Sequence, residues 1–214
     1  NVGLRCFTRD GKQIALYTTR NSSLSNDIIL SIVERKGQIW LGTDGGGINI
    51  LNPETQQFSS LKHIPGKVNS SLPNNSIICL YNDQNNNIWI GSIYSGLISV
   101  REVYMQAYTD ALPNNKQGLS DNIVLSLCQQ ESGHIWVGTN GGGINCFNSL
   151  AGEFTHYPST LGDKVASICG FASGKLLLSI FAQGIFIFDP VTGNKQPFTI
   201  IDKEVNERLC LHGN

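Results

Sequence analysis

Gln38-Ile39-Trp40-Leu41-Gly42-Thr43-Asp44-Gly45-Gly46-Gly47-Ile48 is the stretch that decides the fold, because the chain repeats it. It returns as Asn87-Ile88-Trp89-Ile90-Gly91-Ser92 and as His134-Ile135-Trp136-Val137-Gly138-Thr139-Asn140-Gly141-Gly142-Gly143-Ile144. The three tryptophans of the protein all occupy the same place in it, 49 and 47 residues apart. A worn fourth copy reads Lys175-Leu176-Leu177-Leu178-Ser179, with Gly184-Ile185 where the third glycine and the isoleucine belong. A period of this length, built from short apolar runs and glycine-rich turns, is the signature of one β-sheet per unit.

Each unit carries four strand signals. In the first, Ile28 to Val33 is apolar and β-branched, as for a strand covered on both faces. Lys36-Gly37 turns it into Gln38 to Thr43, the strand with Trp40. Asp44-Gly45-Gly46-Gly47 turns again, since glycine alone takes positive φ freely. Gly47 to Asn52 is the third strand, Asn52-Pro53-Glu54-Thr55 a turn, and Gln57 to Lys62 the fourth and most polar strand. Strands that grade from apolar to polar within a fixed repeat make a propeller blade. The expected fold is therefore all-β, a β-propeller segment of four-stranded antiparallel blades. A β-sandwich supplies short strands too, but not tryptophan and a triple glycine at a fixed period.

The boundaries follow from the repeat. Residues 1–23 end a preceding blade, with Gly3 to Phe7 matching Gly47 to Leu51; blades then run over 24–71, 72–118 and 119–163. A degenerate blade covers 164–203, and 204–214 starts a further one, so the chain reads as a segment of a longer array cut inside a unit at both ends.

Composition narrows the function classes. Charged residues are 14% of the chain and the net charge is −1, which leaves no basic stripe for nucleic acid. No apolar run is long enough to span a membrane. The six cysteines are scattered without metal-ligand spacing and are expected as small buried residues. Cys128 and Cys169 share a register, and Cys79 stands where Ser31, Ser126 and Ser167 stand. The polar run Asn82 to Asn87 holds one acidic residue, too few for a calcium loop. No helix start follows the triple glycines, so they are turns and not a phosphate cradle. No cofactor and no metal is expected.

The order Leu-Ser-Asn/Asp-Asn/Asp, then Ile-Trp-Ile/Val-Gly-Thr-x-Gly-Gly-Gly-Ile, resembles the two-component regulator propeller repeat. Its openings here are Leu24-Ser25-Asn26-Asp27, Leu72-Pro73-Asn74-Asn75 and Leu119-Ser120-Asp121-Asn122. The resemblance implies the periplasmic sensor region of a hybrid two-component system of glycan-degrading gut bacteria. In that family, propellers precede a small β-domain, a membrane helix, a histidine kinase and a regulator. It implies oligosaccharide sensing, self-association of the sensor, and further blades in the same protein. It implies no catalysis in this segment, since no kinase motif is present.

The structural repeat residues are Trp40, Gly42, Trp89, Gly91, Trp136 and Gly138, with the tryptophans expected between blades. Thr43, Ser92 and Thr139 are expected to cap the glycine turns. Candidate ligand-binding residues lie where the copies differ, on the face that joins these turns to the loops entering each blade. They are Asp44, Tyr94, Asn140, Phe181 and Gln183, backed by Asn26, Asp27, Asn74, Asn75, Asp121 and Asn122. Amides, carboxylates and aromatic rings suit sugar hydroxyls and C–H faces. Tyr94 and Phe181 break the glycine pattern, from which a turn gains nothing. Two other classes stand beside sensing: a protein-interaction propeller, marked by a large apolar face, and a propeller lyase or glycosidase. For the last, the four histidines sit at unrelated repeat positions, and Glu34, Glu54, Glu131 and Glu153 are expected at outer turns.

Overall fold

The computed structural model describes residues 3–66, 71–101, 104–110, 118–130 and 134–198. Among them helix is confined to two single turns, Pro158–Thr160 and Ala172–Gly174. No helix there is long and apolar enough to cross a membrane. The described strands make up five sheets, in two compact units. The expected start of a further blade at 204–214 lies outside the described residues, as do Glu131, Cys210 and His212.

The unit of residues 1–107 opens with a two-stranded sheet of β1 (Leu4–Phe7) and β2 (Gln13–Tyr17). A four-stranded blade follows: β3 (Ile29–Arg35), β4 (Gln38–Thr43), β5 (Ile48–Asn52) and β6 (Gln57–Leu61). The second blade is β7 (Ile77–Asn82), β8 (Ile88–Ser92), β9 (Leu97–Arg101) and β10 (Tyr104–Tyr108). The other unit, from residue 108 on, holds two blades. The third blade is β11 (Val124–Gln129), β12 (His134–Thr139), β13 (Ile144–Asn148) and β14 (Glu153–His156). The fourth is β15 (Val165–Gly170), β16 (Leu176–Ile180), β17 (Gly184–Asp189) and β18 (Asn194–Pro197). Strands are in chain order in every sheet, as short hairpins require.

Register explains the repeat. Trp40 lies between Val33 and Ile50, Trp89 between Tyr81 and Ser99, and Trp136 between Cys128 and Cys146. Leu177 holds that place in the fourth blade, between Cys169 and Ile187. Each first strand also carries one bulge at a matching point, after Ile29, Ile77, Val124 and Val165. Trp40 packs with Ile77, Ile88 and Ile90 of the next blade, and Trp136 with Val165, Ile168 and Leu178 of the next. The glycine two residues after each of these tryptophans is where neighbouring blades touch. A Cβ on Gly42 would fall 2.9 Å from Ile77 Cγ2, and one on Gly138 would fall 2.7 Å from the Val165 carbonyl oxygen. Only glycine admits that approach.

The triple glycine serves two needs. Gly45 and Gly47 take φ of +82° and +75°, whereas Gly46 is kept small by Asn26 Cβ and Thr43 Oγ1, each 2.7 Å from where its Cβ would be. Thr43, Ser92 and Thr139 hydroxyls donate to the carbonyls of Gly47, Gly96 and Gly143 at 2.7, 3.2 and 2.9 Å, capping the turns.

Three local expectations need correction. The first strand of the first blade is not covered on both faces: Leu30 and Ile32 are exposed. The two-stranded sheet beside it packs Leu4 with Leu41 and Leu51 and meets β3 at Ile29, leaving Leu30 and Ile32 uncovered. Of the cysteines, Cys146 is buried and Cys169 is exposed. Cys169 alternates with buried Ile168 and faces away from the third blade, where no described sheet covers it. Glu34 and Glu153 lie on β3 and β14 and not in outer turns, and Glu34 accepts from the Gly37 N–H at 2.6 Å.

Candidate functional site

The turns between second and third strands do share a face with the loops that enter the blades. The N–H groups of Asp44, Ile93, Asn140 and Phe181 donate to the carbonyls of Ile28, Ser76, Ile123 and Lys164. Those bonds place one register position of each blade on this face.

Most amide and acid side chains of the entry loops are consumed by structure. Asn26, Asn74 and Asp121 accept from the backbone N–H two residues on, at 2.7, 2.9 and 2.6 Å. This is the Asx turn that such residues form. Asn26 and Asn74 also donate to the carbonyls of Asp44 and Ile93. The next position reaches back to the chain leaving the preceding sheet. Asp27 accepts from the Thr19 N–H, Asn75 from His63, and Asn122 from Asp110, at 2.7, 2.7 and 2.6 Å. These six residues clasp loops and blades together, leaving little with which to hold a ligand.

In the first unit, Asp44 is exposed and Ser76 Oγ donates to its Oδ1 at 3.4 Å. Tyr94 is 76% exposed with φ of +68°. It occupies the register of Gly45, a conformation that disfavours any side chain. In the other unit Asn140 is half-buried and bridges backbone to backbone with Lys164. The Lys164 ammonium lies 5.9 Å from the centre of the Phe181 ring, which is about half exposed. Asn140, Lys164 and Phe181 are thus brought together, and Lys164 escaped the sequence reading because no other copy has a lysine there. Register also shows that Phe181 takes the place of Asp44, and that Ala182, at φ of +59°, takes the glycine's. Gln183 is engaged: its Nε2 donates to Asp163 Oδ1 at 3.1 Å, and Lys195 donates to the other oxygen.

Two of the histidines have structural roles. His63 Nδ1 meets the Leu72 carbonyl and His156 Nε2 the Gly118 carbonyl, both at 2.8 Å. The polar run after β7 is a turn organised by Asp83. Its Oδ1 accepts from the N–H groups of Asn85 and Asn87, and its Oδ2 from Asn87 Nδ2 and Trp89 Nε1, at 2.8–2.9 Å. No group of metal-ligating side chains occurs among the described residues. One periodic feature went unread. Tyr17, Leu61, Tyr108, Tyr157 and Phe198 hold equivalent places at or just past the outermost strands, and three of them meet rings of a following sheet or blade. Tyr17 lies 5.4 Å from Phe58, Tyr108 4.5 Å from Phe147 and Tyr157 5.0 Å from Phe188.

Three segments, 23–45, 71–94 and 118–141, match the family model of the two component regulator propeller. Each begins at the entry loop and ends in the turn after the tryptophan strand. The chain carries two-component regulator propeller repeats. The fourth blade lies outside these matches, in keeping with its lost tryptophan. No curated protein matches the chain.

Among solved structures, the chain is similar to an extracellular domain assigned to a hybrid two-component system of B. thetaiotaomicron, at 22% identity and a TM-score of 0.76. That match covers 86% of this chain and 26% of the other, so this chain spans about a quarter of the length of that structure. PorZ, a surface component of the type-IX secretion system of Porphyromonas gingivalis, matches at 15% identity and a TM-score of 0.68, over 94% of this chain and 31% of its own. Virginiamycin B lyase from Staphylococcus aureus matches at 14% and 0.65, over 94% and 64%. At such identities the likeness shows the propeller fold.

Proposed function

We propose that the chain is part of the extracytoplasmic, ligand-sensing propeller of a hybrid two-component sensor histidine kinase, working in the periplasm with further blades of the same protein. Its ligand is an oligosaccharide, and its contribution is binding without catalysis. The observation that carries this reading is the threefold match to regulator propeller repeats, each covering the entry loop and tryptophan strand. Each unit's own turn face supplies contacts: Asp44 and the exposed Tyr94 in the unit of residues 1–107, and separately Asn140 and the Lys164–Phe181 pair in the unit from residue 108 on. Gln183 contributes by holding Asp163 and not by touching sugar. Sensor copies self-associate to pass the signal across the membrane.

Titration calorimetry of the intact sensor region with a panel of oligosaccharides tests this. One class of ligand is expected, with affinity reduced about tenfold by Tyr94→Gly or Phe181→Ala. Binding of no panel member, or equal binding by both variants, overturns the assignment. A lyase is the second reading, favoured by the similarity to virginiamycin B lyase. Turnover of a glycan or of virginiamycin B by this chain would establish it.

A further inference from the structure

A cleft of about 380 Å³ opens between the third and fourth blades, at the end of the strands opposite the Asn140 turn. It belongs to neither the turn face nor the reading above. Strand register dictates what lines it. His134 pairs with Asn148 and Asn148 with Glu153; Trp136 pairs with Cys146 and Cys146 with Thr155. Residues directly opposite one another across strands point to one face, so both rows look toward the fourth blade, whose Pro190 closes the far side. Tyr157 ends the cleft, its ring 5.6 Å from Trp136 and 5.0 Å from Phe188.

Some of these polar groups are already used. Gln130 Oε1 accepts from Trp136 Nε1 and its Nε2 donates to the Gly174 carbonyl, both at 3.0 Å. Asn148 Oδ1 caps the β13–β14 turn through the N–H groups of Leu150 and Ala151. The Glu153 carboxylate and the hydroxyls of Thr155 and Tyr157 have no hydrogen-bond partner among the described residues. Among the described residues no lysine or arginine lines the cleft, and its one basic side chain is His134.

Sister blades sharpen the contrast. In the fourth blade, Lys175 stands at the register of His134 and Asp189 at that of Asn148, and the two lie 4.0 Å apart. In the first blade the corresponding residues are Gln38, Asn52 and Gln57, all neutral. Of these three, the third blade is the one whose carboxylate shares a cleft with aromatic rings and has no lysine or arginine across from it; its row holds Asn148 and His134 instead. A carboxylate beside aromatic faces, with oxygen acceptors and no competing cation, is the chemistry that takes an ammonium group. The cleft volume is at the small end of ligand sites, which run from about 300 Å³ upward. Glu153 and Tyr157 stand four extended residues apart, roughly 13 Å, so the ligand is elongated.

We propose that the cleft between the third and fourth blades binds a small organic cation, an amine whose head pairs with Glu153 and whose apolar stem runs past Cys146 and Trp136 toward Tyr157. Thr155 Oγ and the phenol of Tyr157 accept the remaining N–H or ligand hydroxyl donors.

Calorimetry of the 214-residue chain with n-hexylamine, n-hexanol and D-glucose tests this. Saturable binding of hexylamine is expected, about tenfold tighter than hexanol, weakened by salt, and lost at least tenfold in Glu153→Gln. Glu153 is exposed, so that variant should melt with the parent and its loss of binding reads the ligand and not the fold. Equal affinity for hexylamine and hexanol, hexylamine binding unchanged in Glu153→Gln, saturation by glucose alone, or no saturable heat would each overturn the proposal. None of these outcomes depends on the turn face, whose variants Tyr94→Gly and Phe181→Ala should leave hexylamine binding intact.

Discussion

The indole N–H of Trp89 donates to Asp83 Oδ2 at 2.9 Å, and the same carboxylate ties down the turn between β7 and β8. Trp136 uses the residue six positions before it in the same way, through Gln130. Trp40 does not. Glu34, at that register, is committed to Gly37, and Trp40 Nε1 is buried without a partner beneath the Arg35 guanidinium. One repeat position thus has three local outcomes, with different consequences for mutation.

Asp83→Asn places an NH₂ group against N–H donors that the carboxylate now accepts. A loss of about 1–3 kcal/mol is expected, the range for stranding buried polar groups. Urea unfolding of the variant checks it. EDTA should leave the parent's unfolding curve unchanged, because Asp83 satisfies the polar run without calcium.

Trp40→Phe forfeits no hydrogen bond and removes only part of the buried ring system, so it should cost less than truncating a core tryptophan to alanine. Trp136→Ala empties the space under Val165 and Leu178 and should cost about 3–5 kcal/mol. Thermal melts that rank the two the other way would remove Trp136 from the inter-blade core.

Gly138→Ala drives a methyl into the Val165 carbonyl of the next blade, and a loss of about 1–3 kcal/mol is expected from overpacking. Gly170→Ala is the control: its Cβ meets nothing within 4 Å and its φ is not positive. That variant should stay within about 0.5 kcal/mol of the parent. Equal melting temperatures for both variants would refute the close approach.

Alkaline pH should destabilise the fold. Burial pushes the Cys146 thiol up to about 11 from 9.0, and burial, then the neighbouring Cys146, pushes the Tyr157 phenol up to about 12 from 10.0. Both groups hold their protons more tightly when folded. Their stabilisation is whole below the unfolded values and is lost as pH rises through the folded ones. Melting temperature should therefore fall between pH 9 and about 12, and Cys146→Ala should flatten the part of that fall up to about 11. A fall unchanged by the substitution would exclude Cys146 as its source.

Tyr94→Gly removes a side chain from left-handed backbone. Release of that strain should leave the melt unchanged or raise it slightly. A marked loss of stability would mean that the exposed ring packs against something, and would withdraw it from the ligand face.

Sequence alone determined the sheet-per-unit architecture. Tryptophan, glycine and turn residues recur at a fixed spacing, and each has a local requirement: a flat apolar side chain, a missing Cβ, or a left-handed turn. Leu177 could be placed in the tryptophan register for the same reason. What tertiary structure decided are the matters set by neighbours. Gly42 and Gly138 are glycine because the cross-strand Ser31 and Ser126 hydroxyls and another blade's Ile77 and Val165 press on them, and Leu30 lies exposed because the adjoining sheet stops at two strands. Asn26, Asn74 and Asp121 look alike on paper as turn or ligand residues, and only their hydrogen bonds assign them to turns. The Tyr17, Tyr108 and Tyr157 contacts stayed hidden since their partners Phe58, Phe147 and Phe188 are distant in sequence. The Glu153 cleft is likewise made by two blades, and a pattern read along one chain does not reveal the space between sheets.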